Sequence, residues 1–597
     1  MSNSIINFLS QTPGSTRMGD TPKDKEAANY IAAAQQRTMP AHLASPKWRD
    51  LSTSISTGFQ DEETYMRQRE KLQQQEKSLA FDFRCKSRAT DKEVRANSII
   101  QALRRNDNQN IYGNATPRIG HQGQQHGRFA GDHFLSDVDL ISQTSLFNVA
   151  RRMPKGAHLH VHFNACLPPE VLLNIAKDME RMFITSDKPL TSKEAFDTCE
   201  LQFSLVCKGK EKRGNIFSET YTDRQHMPFQ HFLLEFRDMR ADMKVDTWLV
   251  EKLMFSEDEA YNTRQTAHGA WRKFNGRTRM MKGLINYETA YRRYTRLLLE
   301  DFTRDGISYA EIRPNFMTSN HLLQDDGEKT IDNAGIMEII IQVVEEYQRE
   351  MHAKGGFFGG LKVIYCTPRS FRKDQIAESL QECLEFKKRW PKWIAGFDII
   401  GEEAAGHPLK HFIPEFLQFQ KECAEAAVSI PFLFHCGETL DDPEGNLLDA
   451  LLLGAKRIGH GFALARHPYV MQHMKARGVC LELCPISNEI LGLTGRVGGH
   501  TMYELLANNV HCTVNSDNGT LFRSSLSHDF YQVMVGKADM GLAGWKQLIL
   551  WSLEHSCMED SERLQALEAW QRQWEDFLTW ILKVYGPVVE SKDVASN

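Results

Sequence analysis

The sequence predicts a (β/α)8 barrel of the α/β class, and three observations predict it. Between about residues 157 and 516, eight short segments that read as strands recur, most of them separated by segments of helical pattern. The C-terminal ends of several segments carry His, Glu or Asp, and in such barrels that end of the sheet holds the active residues. A length of 597 residues accommodates one large domain with additions.

Residues 1–25 are polar, hold Pro13, Gly14, Gly19 and Pro22, and are expected to be disordered. From about residue 26 to 105 the pattern is helical. The run Glu62 to Leu79 is rich in Glu, Gln, Lys and Arg, and Asp91 to Arg105 places Val94, Ile99, Ile100 and Leu103 near one helical face. Such charged helices suit packing on the main domain, on a second copy of the chain, or a solvated arm. Residues 26–135 are therefore read as a helical extension and linker with a possible role in a homodimer. Asn106 to Phe134 is a long polar stretch whose His121, His126 and His133 lack ligand spacing and read as surface residues. Ser136 with Asp139 predicts one helix through Leu140, Ile141, Leu146 and Val149, ending before Pro154.

The barrel domain is read as residues 136–597. Its first strand is Ala157–His162. The others are Ser308–Arg313, Leu361–Cys366, Ala395–Ile400, Pro431–His435, Arg457–Gly459, Val479–Cys484 and Cys512–Ser516. Helical segments such as Asp374–Lys388 and Pro414–Ala427 lie between them. Roughly 140 residues separate the first two strands, where a crossover needs about a dozen. A mostly helical insertion at about 170–300 is expected there. It contains Cys199 and Cys207, which can pair only in an oxidising compartment. The tryptophans of Ala569–Trp580 read as packing residues.

Composition excludes some functions. A net charge of −5 shows no basic excess, so nucleic acid is not an expected partner. The twelve cysteines follow no zinc-ribbon or redox spacing. No apolar stretch approaches a membrane span, and the first residues lack the basic start and long apolar run of a signal peptide, so the expectation is a cytoplasmic protein without a membrane partner.

The chemistry lies at the strand ends. Side chains two apart on a strand point the same way, so His160 and His162 are expected to project together, with His158 on the same face. The fifth strand ends in His435, followed by Gly437 and Glu438; the sixth ends in His460; Asp517 follows the eighth. Three histidines and an aspartate can hold one zinc ion and leave a position for water, whose pKa the ion lowers to about 7. Glu438 is placed to shuttle a proton and His460 to accept one. Taken singly, each has a plainer reading: His435 as a core histidine, His460 as part of a turn, Asp517 as the cap of a helix near Thr520. Glu402 and Glu403 read as a solvated pair, His158, His407 and His500 fall outside the site, and nothing activates Cys436 as a nucleophile.

The motifs in order carry a resemblance. They are Met-Pro-Lys-Gly-Ala-His-Leu-His-Val-His at 153–162, Gly-Phe-Asp-Ile-Ile-Gly at 396–401 and His-Cys-Gly-Glu-Thr at 435–439. Arg-Ile-Gly-His-Gly at 457–461, Cys-Pro-Ile-Ser-Asn at 484–488 and Ser-Asp-Asn at 516–518 follow. Over roughly residues 60–540 the chain resembles the adenosine/AMP deaminase superfamily of metallo-dependent hydrolases, and within it the adenosine deaminase-related growth factor branch. The resemblance implies one zinc held by His160, His162, His435 and Asp517. It implies Glu438 as proton donor to purine N1, His460 and Asp517 assisting water, and Gly401 at purine N3. It also implies a homodimer built by the N-terminal helices. The chain departs from the pattern at Asn518, where the family has an acid that reads purine N7. It departs again at Asn164, where adenosine deaminases carry an Asp at the ribose 5′-OH. The growth-factor branch is usually secreted, in contrast to the cytoplasmic expectation. The expected substrate is adenosine or 2′-deoxyadenosine. The alternatives are AMP or another 6-aminopurine derivative, a different metal hydrolase on the same barrel, and a non-catalytic growth-factor-like binding protein. Against the metal hydrolase, Ala395–Gly401 lacks the lysine that bridges two metals in binuclear members.

Overall fold

Mostly apolar residues, with few breaks, run through β1 (Gly156–His162), β2 (Ile307–Arg313), β3 (Leu361–Pro368) and β4 (Ile394–Ile400). Strands covered on both faces need no polar alternation, and every residue of β2 and β4 is buried. The computed structural model describes Ile55 and residues 57–120, 122–240, 242–536 and 540–595. The disorder expected for residues 1–25, the helical reading of 26–54 and His121 lie outside the described residues.

The first four strands pair in parallel, in sequence order. So do β5 (His435–Cys436), β6 (Arg457–His460), β7 (Cys480–Leu483) and β8 (Cys512–Val514). Two bridges, Phe397 with Phe432 and Val161 with Asp517, join the half-sheets into the closed barrel. The fifth strand is shorter than Pro431–His435 predicts. The stretch before His435 bonds to β4 through Leu433 N–H to the Phe397 carbonyl (2.9 Å), but forms no continuous ladder.

The helices show where local pattern gave way to tertiary contact. The single helix predicted from Ser136 is two, Phe134–Ile141 and Ser145–Arg152. Thr144 breaks it by capping the second helix, accepting from Phe147 N–H at 3.1 Å, while the buried Asp107 carboxylate accepts from Leu146 N–H at 2.8 Å. His133 stacks on Tyr261 with centroids 4.2 Å apart and is half-buried, not a plain surface residue. The insertion after β1 contains helices and also a three-stranded antiparallel sheet of Met182–Ser186, Leu201–Leu205 and Met227–Pro228. Cys199 and Cys207 are free, buried thiols.

One inserted helix, Ala267–Ile285, reaches across the C-terminal end of the barrel. His268 meets Glu402, beyond β4, at 3.1 Å, and Phe274 meets Phe522, beyond β8, at 6.2 Å. Trp271 lies between them on the same helix, edge-on to Phe274 at 5.0 Å. At the other end, helix Leu542–Glu554 closes the barrel, and Ser552 Oγ accepts from Ala157 N–H at 3.0 Å. Helix Asp91–Asp107 docks on helix Asp560–Ala595 of its own chain. Trp574 Nε1 donates to Glu93 at 2.9 Å and Trp570 Nε1 to the Pro154 carbonyl at 2.9 Å, the packing role expected of these tryptophans. No helix among the described residues is long and apolar enough to cross a membrane.

Candidate metal centre and active site

Side chains from β1, β5, β6 and the turn after β8 converge at the C-terminal end of the barrel. His162 Nε2 is 3.3 Å from His435 Nε2 and 3.3 Å from Asp517 Oδ1. His160 Nε2 is 3.7 Å from the same Asp517 oxygen, and it is buried without a hydrogen-bond partner. Ligand atoms about 2.0–2.1 Å from a tetrahedral ion stand about 3.3–3.4 Å apart. The four side chains therefore fit one such ion. Burial, and then neighbouring Arg313 or the other histidines, hold all three imidazoles well below their usual pKa, so they are neutral ligands with lone pairs available.

The far nitrogens of two ligands are fixed by carboxylates. His435 Nδ1 lies 2.6 Å from Asp398 Oδ2, and His160 Nδ1 lies 2.8 Å from Glu482 Oε2. Such pairs set ring orientation and raise ligand basicity. Arg313 bonds to both, donating to Asp398 at 2.8 Å and to Glu482 at 2.7 Å. Arg457 extends the chain to Glu482 at 2.6 Å and Glu311 at 2.5 Å. Except for Arg457 with Glu482 on the neighbouring β7, these bonds join strands that are not neighbours, so the alternating charges run through the barrel interior. Removing one partner of such a pair costs about 3–5 kcal/mol, because its mate is left buried and uncompensated.

Beside the four candidate ligands stand two further titratable side chains. His460 Nε2 is 3.4 Å from Glu438 Oε1, and both are buried. Burial raises Glu438 well above the carboxylate range, with Asp517 and Glu403 adding to the shift. His460 is held neutral by burial. Asn488 Nδ2 donates to His460 Nδ1 at 3.1 Å, and His500 Nε2 meets Asn488 Oδ1 at 2.9 Å. The fixed Nδ1 leaves Nε2 facing Glu438. His500, set outside the site by the sequence reading, is thus two bonds from His460.

Backbone strain marks the same places. His460 and Asp517 adopt left-handed φ of 62° and 58°, which non-glycine residues hold only when their surroundings enforce it. Gly459 is required by proximity, since a Cβ there would lie 3.0 Å from His160 Cε1. Gly401 ends β4 in a conformation (φ 105°) that favours glycine. Asn164 is half-buried in the turn Phe163–Ala165, just after His162. Asn518 donates to Asp517 Oδ1 at 2.7 Å, and Ser487 donates to Asp517 Oδ2 at 2.7 Å. Asp517 therefore does not cap the following helix, Gly519–Phe522, as one reading allowed; Asn518 occupies the N-cap position, without a side-chain cap bond.

Two sequence expectations are corrected. His158 does not share the face of His160. The register of β1 against β2 shifts between His158 and Val161, and the His158 ring turns to Phe302 at 5.7 Å and accepts from Ser516 N–H at 3.2 Å. Glu403 is not solvated: it is buried and accepts from Gly437 N–H (3.0 Å), Glu438 N–H (2.6 Å) and Asn446 Nδ2 (2.7 Å). It clamps the turn that carries Glu438. Cys436 is buried with its thiol pushed well up by burial, in keeping with its exclusion as a nucleophile. Asp398, Glu482, Arg313, Asn488 and Glu403 were missed. The available signal for the first three was a lone charge inside an otherwise apolar strand, which needs a partner to be buried there.

The adenosine deaminase family model matches residues 243–572. An adenosine deaminase of Phlebotomus duboscqi is 31% identical over 456 residues, spanning 75% of this chain and 81% of that protein. Adenosine deaminase 2 of Sus scrofa is 29% identical, spanning 82% and 89%, and that of Homo sapiens 30% identical, spanning 75% and 82%.

Proposed function

The chain belongs to the adenosine deaminase family, on its growth-factor-related branch, and we propose that this aminohydrolase converts adenosine or 2′-deoxyadenosine to the inosine nucleoside and ammonia with one zinc ion at the centre described. The observation that carries the reading is the convergence of His160, His162, His435 and Asp517 next to the buried Glu438–His460 pair. Zinc in this site supplies a water acidic enough to attack near neutral pH. His460, neutral and with its Nδ1 accepting from Asn488, presents Nε2–H to hold and orient the attacking water, and Asp517 takes that water's proton. Glu438, protonated by burial, donates to purine N1, and C6 becomes tetrahedral as oxygen adds. The amine gains a proton and leaves as ammonia. Gly401, Asn164 and Asn518 are proposed to contact the purine nucleoside, and helix Ala267–Ile285 shields the mouth from water.

A nucleotide is the second reading. Asn164 puts a neutral amide where an acid would repel a 5′-phosphate. A panel of adenine, adenosine, 2′-deoxyadenosine, AMP and an N6-methylated nucleoside, read as ammonia or amine release, decides between them. Turnover of adenosine above AMP supports the nucleoside; no release from any member sinks the enzymatic assignment.

A further inference from the structure

A second group of metal-ligating side chains lies at the opposite end of the barrel. His511 precedes β8, whereas Asp517 follows it, which puts the two on the order of 15–20 Å apart along the strand. His511 Nδ1 and His555 Nε2 are 2.7 Å apart. A carboxylate oxygen of Glu554 completes the group, whose ligand atoms all lie within 4.8 Å of one another.

The surroundings hold this group in place. The His511 ring stacks on Trp551 at 4.4 Å. Arg457 donates to the His555 carbonyl at 2.9 Å and Arg563 to the Glu554 carbonyl at 3.2 Å, which fixes the backbone of both ligands. Glu554 and His555 end helix Leu542–Glu554, where the negative end of the helix dipole favours a cation. Burial, with Arg84 and Lys475 nearby, pushes His511 down to about 4, so it is neutral and offers a lone pair. Glu554 adds one carboxylate to the group.

We propose that His511, Glu554 and His555 bind a second divalent ion, which ties the foot of β8 to the C-terminal helices independently of the catalytic centre. Two imidazoles and one carboxylate suit zinc, cobalt or nickel rather than calcium or magnesium. The imidazole that donates in the 2.7 Å contact carries its proton on its other nitrogen when the ion binds. The two nitrogens then open to about 3.3 Å, the edge of a tetrahedron around the ion. Water completes the coordination.

The test counts metal on the full-length protein with zinc itself as the probe. Wild type saturated in zinc buffer is expected to hold about two equivalents, and a mild chelator to remove one while deamination persists. Glu554→Gln and His511→Gln are each expected to hold about one equivalent and to keep their activity. Added zinc should raise the wild-type Tm beyond the point where the catalytic centre is filled, and should not do so in the variants. A wild-type protein that stops at one equivalent overturns the proposal, as does Glu554→Gln with two. Glu554 is half-exposed, so its variant carries the test if His511→Gln fails to fold.

Discussion

At the scale of single residues, proton placement decides the chemistry. Glu438 and Asp517 are both acids in one buried cleft, and each raises the other's cost of ionising. A metal ion held by Asp517 would favour that residue's charged form, leaving the proton on Glu438. Glu438→Gln is therefore expected to retain zinc and lose about 10²–10⁴-fold in kcat. An equally active variant with normal metal content would remove Glu438 from the reaction. Asn518 yields a second prediction. Its amide has two N–H donors, and one is used on Asp517. The other is free to reach purine N7, an acceptor, at any pH, where an aspartate needs a proton to do so. Replacing N7 by C–H, as in 7-deazaadenosine, should cost about 1–3 kcal/mol, or roughly 5- to 150-fold in kcat/KM. Equal kcat/KM for the two nucleosides would show that Asn518 does not read N7.

At the scale of elements, one loop can hold another in place for the site. Glu438 lies on a turn beyond β5, and the clamp on that turn comes from Glu403, beyond β4. A glutamine at 403 has a single acceptor oxygen, so one backbone N–H of the turn meets an NH2 instead. Leaving that donor unsatisfied costs about 1–3 kcal/mol. Glu403→Gln is expected to keep its zinc and its KM and to lose roughly 5- to 150-fold in kcat. A proportional loss of bound zinc would instead place the damage at His435, the ligand before the turn. The His158 bulge follows the same logic. It turns one histidine toward the outer helices and so lets His160 and His162 face the interior together.

At the scale of the whole molecule, the question is what the N-terminal helices do. Helix Asp91–Asp107 uses its apolar face, with Ile99, Ile100 and Leu103 buried, against its own chain. Helix Glu62–Ser78 buries no residue, although isolated charged helices of that length are only marginally stable in water. We propose that this helix pairs with a second copy. Wild type is expected to sediment as a dimer at micromolar concentration, and a chain beginning at Leu79 as a monomer that still binds zinc. A wild-type monomer would refute the arrangement.

The sequence by itself determined the barrel, the order of its strands, and which chemically distinctive residues stand at the strand ends. Those follow from local facts: short apolar runs between helical segments, and chemically distinctive residues at their ends. Only the tertiary structure decided which charges support them. Asp398, Glu482 and Arg313 stand far apart in the chain and meet only across the closed interior, and no local pattern encodes such a meeting. The same holds for Glu403. Its neighbour Glu402 points to an inserted helix, while Glu403 is drawn inward by two backbone donors of a different loop. Two adjacent glutamates are alike as sequence. They differ in the fold because a buried N–H must find an acceptor, and only one of them is within reach.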